Sequence, residues 1–128
     1  MNILVVDDEG AFGKLVGRVL SREGMSVTTT TRGDEAVTLL GQCDPGLVIV
    51  DYMLKEERDG LDLIEMMRSG RPGLPALLIS GFPSDDVEAR VAAMGNTYYL
   101  EKPFESDELI KLVHYILDRE PAQGPGTD

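Results

Sequence analysis

The chain has 128 residues, 42% hydrophobic and 27% charged, an ordinary globular balance for one domain around one core. A formal net charge of -11, from 23 acidic against 12 basic residues, opposes both a phosphate backbone and an anionic membrane surface, so neither is an expected partner. The single cysteine, Cys43, excludes an intramolecular disulfide and fits a reducing, cytoplasmic compartment.

The first apolar run, Ile3 to Val6, is short and stops at Asp7, which fits a buried strand rather than a signal peptide. Phe12, Leu15, Val16, Val19 and Leu20 follow at the spacing of one helix face, with Gly24 placed to close that helix. Val27 to Thr30 is β-branched but more polar, as suits an edge strand. Ala36, Val37 and Leu40 predict a second helix ending near Gly41, and Leu47 to Val50 a third strand. Leu61, Ile64 and Met67 mark a third helix stopped by Gly70 and Pro72, followed by a fourth strand from Ala76 to Ile79. Ser84, ahead of Asp85 and Asp86, is placed to cap a fourth helix that runs to Met94. Thr97 to Leu100 is the fifth strand, and Leu109, Leu112, Val113, Ile116 and Leu117 make the last helix, with Ser106 as its candidate cap. The Pro- and Gly-rich segment from Pro121 to Asp128 reads as a flexible tail or the start of a linker, leaving residues 1–120 as the domain.

Strand and helix alternating five times predict an α/β fold with helices on both faces of a parallel sheet. With right-handed crossovers, one simple solution is the flavodoxin-like (βα)5 order 2-1-3-4-5, in which ligands bind beyond the carboxyl ends of the strands. At that end the first strand delivers Asp7 and Asp8, the third Asp51, the fourth Ser80 and the fifth Lys102. Two carboxylates about 5 Å apart repel by about 3 kcal/mol at an effective dielectric near 20, so a shared rim needs a proton or a cation. Hard oxygen donors with room for water and a phosphate suit Mg²⁺, with Mn²⁺ as a substitute. A metal, a lysine and the Ser80 hydroxyl around one carboxylate are the parts needed to stabilise in-line phosphoryl transfer.

The stretches Ile3-Leu-Val-Val-Asp-Asp-Glu9, Val48-Ile-Val-Asp-Tyr-Met-Leu54, Leu78-Ile-Ser-Gly-Phe82 and Glu101-Lys-Pro-Phe104 resemble the signatures of response-regulator receiver domains, including the stand-alone CheY-like type. The resemblance covers residues 2–119 and implies a signalling module of a two-component system or phosphorelay, not an enzyme acting on an outside substrate. It implies Asp51 as acceptor of a phosphoryl group from a histidine kinase or histidine phosphotransfer protein. It places Mg²⁺ on Asp8, Asp51 and the Met53 carbonyl, with Asp7 holding a metal-bound water. Ser80 takes the place of the switch hydroxyl, Tyr99 that of the aromatic switch, and Lys102 that of the lysine facing the phosphoryl group, before a Lys102–Pro103 bond that is usually cis in the family. The fourth helix, fifth strand and fifth helix would form the surface presented to an effector or a second copy.

One stretch departs from the family pattern. The loop Leu54-Lys-Glu-Glu-Arg-Asp-Gly60 lacks the usual proline and carries one extra residue, which bears on kinase choice. Bulky Met53 and Phe82 stand where this family governs access of hydrolytic water, predicting slow self-dephosphorylation. Plainer readings stand beside these: helix-capping acids at Asp7 and Asp8, a turn at Ser80-Gly81, structural tyrosines at 98 and 99, a surface His114 and a packing Cys43. Two other functional classes remain. An aspartyl phosphohydrolase of the haloacid-dehalogenase type would carry acids at alternate positions after its first strand, whereas here Asp7 and Asp8 are adjacent. A pseudo-receiver that binds proteins without being phosphorylated is the other. No effector domain is read after residue 119, so output is expected to run through partners or through the rest of a longer protein of which this sequence is a piece.

Overall fold

The computed structural model describes residues 2–54, 57–81 and 84–119. Phe82 and the expected tail from Pro121 to Asp128 lie outside the described residues. Five strands alternate with five helices: β1 (Asn2–Val6), α1 (Gly10–Ser21), β2 (Ser26–Thr30), α2 (Gly33–Cys43), β3 (Leu47–Asp51), α3 (Gly60–Gly70), β4 (Ala76–Ser80), α4 (Asp85–Met94), β5 (Thr97–Glu101) and α5 (Ser106–Arg119). The sheet is wholly parallel in the order β2-β1-β3-β4-β5. This is the predicted flavodoxin-like arrangement, and the polar strand β2 does lie at an edge.

The aliphatic runs explain the layering. Successive strand residues face opposite sides of a sheet, so Leu4, Val6, Val48, Val50 and Leu78 pack on one side beneath α2, α3 and α4. Ile3, Val5, Ile49, Leu77 and Ile79 pack on the other beneath α1 and α5. Ile3 to Val6 are at most 2% exposed, and burying each such side chain contributes roughly 1.5–3 kcal/mol. That burial holds the strand ends, and the polar groups on them, in register.

Several boundaries differ from the sequence expectations. Strands β3, β4 and β5 each run one residue further, so Asp51 and Ser80 are the last residues of their strands rather than the first of a loop. Helix α2 passes Gly41 and ends at Cys43, where Asp44 adopts the left-handed conformation (φ 47°, ψ 60°) of a C-terminal cap. Ser106 is not the cap of α5 but its first residue; the Glu105 N–H donates to the Glu108 carboxylate (2.8 Å) and closes that turn. Leu15 was placed on the buried stripe of α1, yet it is 50% exposed. The buried positions of α1 are Gly13, Val16, Gly17 and Leu20, because the two glycines let the helix settle on the strands. A Cβ at Gly17 would already touch Val27 and Thr29 at 3.5 Å. Small residues thus define the contact face, and apolarity alone misplaced it.

Candidate functional site at the carboxyl end of the sheet

Backbone pairing continues just past the strand ends and aims the site residues. The Asp7 N–H donates to the Thr30 carbonyl (3.1 Å), extending the β1–β2 ladder into the acidic pair. The Glu9 N–H then donates to the Asp7 carboxylate (2.7 Å) and fixes its orientation. On the far side, the Lys102 N–H donates to the Ser80 carbonyl (2.8 Å), and the Lys102–Pro103 peptide is cis, as the resemblance implied. Asp51 is held from below: Tyr52 donates to the Ile79 carbonyl (2.8 Å), and Gly60, opening α3, donates to the Tyr52 carbonyl (2.9 Å). Gly60 lies so close that a Cβ there would stand 2.4 Å from the Asp51 carbonyl oxygen. Only a glycine fits that approach.

These anchors bring Asp7, Asp8 and Asp51 together, with one carboxylate oxygen from each lying within 4.8 Å of the others. Lys102 Nζ stands 3.7 Å from Asp51, 3.9 Å from Asp7 and 3.9 Å from Glu9. The same ammonium lies 4.1 Å from the centre of the Phe12 ring, and Phe12 meets Phe104 edge-on. Asp8, Asp51, Met53, Gly81 and Lys102 border an open cleft of about 380 Å³.

Burial leaves its mark on the acids. Asp7 and Asp51 are 3% and 6% exposed. Burial pushes the Asp7 carboxyl up to about 6; the Glu9 amide opposes the rise, the Asp51 charge adds to it, and Lys102 opposes it. Asp51 is raised from the ordinary carboxylate range by the same burial, against the pull of Lys102 and the Met53 amide. Among the described residues, the Lys102 ammonium alone stands within 4 Å of Asp7 and Asp51 and does not balance the group. The rim therefore favours a proton or a hard cation, and its all-oxygen donors fit a divalent ion of the Mg²⁺ kind.

Of the residues singled out in the sequence, Asp7, Asp8, Asp51 and Lys102 converge, and Met53 lines the cleft with its side chain 54% exposed. Ser80 ends β4 at the same rim but is wholly buried, and Gly81 rather than Ser80 borders the cleft. Tyr99 lies outside the cleft, packed on the side of the sheet that carries α2, α3 and α4; its hydroxyl is buried with no hydrogen-bond partner among the described residues. His114 is far from the rim, beside Glu23 (3.5 Å). The sequence reading missed Phe12 as a neighbour of Lys102 and Gly60 as the floor under Asp51. In the sequence Phe12 is one more apolar residue on the α1 face, and no spacing rule distinguishes it from a core aromatic.

Comparison with known proteins agrees with this geometry. A family model for the response regulator receiver domain matches residues 3–114. The probable transcriptional regulatory protein TcrX of Mycobacterium tuberculosis is 36% identical over 121 residues, which are 93% of this chain and 50% of TcrX. The cell cycle transcriptional regulator CtrA of Caulobacter vibrioides is 30% identical over 119 residues, 93% of this chain and 51% of CtrA. The chain thus spans about half the length of these curated relatives. Among solved structures, the receiver domain of NtrX from Brucella abortus superimposes with a TM-score of 0.81 at 34% identity, covering 92% of this chain and 99% of that one. A CheY-like receiver domain protein from Methanospirillum hungatei gives a TM-score of 0.84 at 25% identity, covering 91% and 93%. With the family matched over most of its length and the CheY-like fold reproduced, this chain belongs to the response regulator receiver domains of two-component signalling.

Proposed function

We propose that the chain is a phosphorylation-controlled receiver whose acceptor is Asp51. The observation that carries this reading is the meeting of three carboxylates within 4.8 Å beside a lysine 3.7 Å from one of them. In the transfer, an Asp51 carboxylate oxygen forms a bond to phosphorus while the bond from phosphorus to the donor breaks. When the donor is a phosphohistidine of a histidine kinase or phosphotransfer protein, the electron pair of that bond returns to the imidazole nitrogen, which takes a proton from solvent. Lys102 offsets the negative charge gathering on the phosphoryl oxygens. Asp8, Asp51 and the Met53 carbonyl would hold Mg²⁺, and Asp7 a water bound to it. Such an ion supplies charge neutralisation and orients the phosphoryl oxygens.

Ser80 and Tyr99 are assigned as switch residues. Ser80 is buried at the end of β4, next to the Gly81 wall of the cleft, and the Tyr99 hydroxyl, without a partner among the described residues, carries a hydrogen-bonding demand that a rearrangement would satisfy. The face built from α4, β5 and α5 would carry the signal to an effector or a second copy. TcrX and CtrA are named as transcriptional regulators; an effector joined to or recruited by this domain is the corresponding proposal here, acting in the cytoplasm. Among the described residues no helix is long and apolar enough to cross a membrane. Met53, standing over the cleft, supports slow loss of the phosphoryl group, with a lifetime well beyond seconds in Mg²⁺ alone. The pseudo-receiver alternative gains no support from a rim that keeps all three acids and the lysine.

Intact-mass measurement with acetyl phosphate and Mg²⁺, on the wild type and on Asp51→Asn, tests the reading. One phosphoryl adduct, absent from the variant, is the expected result. No adduct on the wild type would overturn it.

A further inference from the structure

We infer that Phe12 is a positioning residue for Lys102, holding the ammonium over its ring so that it stays directed at the acceptor. This rests on the reading of Asp51 as phosphoacceptor. Among the described residues Lys102 has three carboxylates in reach, yet its Nζ is 3.7 Å or more from every one of them, beyond the distance of a close charge-assisted hydrogen bond. Among the described residues it lies over the Phe12 ring, with 4.1 Å between Nζ and the ring centre, well inside the range of cation–π attraction.

The ring does what a carboxylate cannot. It attracts the ammonium through the negative face of its π system without taking up an N–H in a directional bond, so the donors stay free for an arriving phosphoryl oxygen. The alternative rest position is Glu9, 66% exposed and able to draw the lysine outward into solvent. Phe12 counters that pull. The ring is itself braced, because Phe104 meets it edge-on at 5.9 Å and 84°. Phe104 follows Lys102 by two residues, so the loop that delivers the ammonium also delivers the support for its aromatic seat. The same segment of α1 that follows the acidic pair thereby reaches across to the lysine arriving from β5.

The test pairs Phe12→Leu, which keeps an apolar side chain but removes the ring, with Phe12→Tyr, which keeps the ring. Urea midpoints close to wild type establish that both variants fold. The chain has four lysines, Lys14, Lys55, Lys102 and Lys111, so carbon-13 labelling resolves the Lys102 ε-methylene by NMR. Ring current should shift that signal upfield in the wild type and in Phe12→Tyr, and Phe12→Leu should lose the shift. Phosphoryl uptake from acetyl phosphate at saturating Mg²⁺ should fall about fivefold in Phe12→Leu and return in Phe12→Tyr. A lost shift with an unchanged uptake rate overturns the positioning role. So does an unshifted Lys102 methylene in a wild type that takes up phosphate. A wild type that takes up none overturns the acceptor reading and the ring's role with it.

Discussion

The two ends of the sheet handle charge in opposite ways. At the amino end, the half-buried Arg68 of α3 donates to the carbonyls of Leu74, Gly95 and Asn96 and to the Thr97 hydroxyl, at 2.7–3.1 Å. Arg71 joins it, donating to the Asp44 carboxylate (2.7 Å) and the Pro45 carbonyl (3.1 Å). Fork-shaped cations there tie together the segments leading into β3, β4 and β5 through their carbonyls, the Asn96 carbonyl also accepting from the Ala76 N–H (3.2 Å). At the carboxyl end, Lys102 faces three carboxylates and bonds closely to none. One end is satisfied and the other is left poised. The fold keeps its electrostatic strain where chemistry can use it and is tied together at the opposite end.

The comparison breaks most visibly if the satisfied end is opened. Arg68→Ala should destabilise the protein by about 3 kcal/mol in urea unfolding, since several carbonyls lose a charged donor at once. The folded fraction should still take up phosphate at Asp51, because Arg68 is at the opposite end. Loss of uptake in fully folded protein would show that the two ends are not independent.

Relieving the poised end should do the reverse. The Asp7 carboxyl, near 6 in the folded chain, lies above its ordinary value of 3.8, so between these values the folded state holds more protons than the unfolded one. Stability from this group is therefore present at low pH and is lost as pH rises through about 6. Asp51, raised in the same direction, adds to the trend. Asp7→Asn should stabilise the metal-free protein by about 2 kcal/mol at pH 7.5 and flatten this slope. Millimolar Mg²⁺ should raise the melting temperature of the wild type more than that of the variant. Equal shifts would remove Asp7 from the ion's surroundings.

Gly60→Ala sharpens the contrast from beneath. A Cβ 2.4 Å from the Asp51 carbonyl oxygen forces α3 or the acceptor strand to move, at a cost of about 2 kcal/mol. Phosphoryl uptake should fall with it, read by intact mass at a temperature where the variant is folded. The smallest effect belongs to a third cluster, in which Arg90 of α4 contacts Asp59 (3.0 Å) and Asp62 (3.1 Å) at the start of α3. These groups are partly exposed, so Arg90→Ala should change stability by less than about 1 kcal/mol. The backbone N–H of Asp59, ahead of the arginine, holds Asp62 below its usual range, so its contribution is lost on acidification, opposite in sign to Asp7.

The sequence carried much of the architecture, and the reasons can be located. The unbroken aliphatic runs at Ile3–Val6, Leu47–Val50 and Ala76–Ile79 have no stable place except the middle of a parallel sheet, and there they lie. Once those strands and the fifth, β5, are parallel, Asp7, Asp51 and Lys102 must arrive at one end, so the polar rim was legible from residue order alone. The details of α1 were not. Periodicity put Leu15 inside, whereas Gly13 and Gly17 lie on the contact face, where a Cβ at Gly17 would already be in van der Waals contact with Val27 and Thr29, so small size rather than hydrophobicity marks that face.

Residue type and order, then, determined which groups this protein brings together and the class of chemistry they suit. Tertiary structure alone decided how each is held. It placed Lys102 between three carboxylates and the Phe12 ring, sealed Ser80 beneath the cleft, and set Gly60 against the backbone of Asp51. These are matters of distances between segments far apart in the chain, set by how helices pack on strands, and no local pattern of residues encodes them.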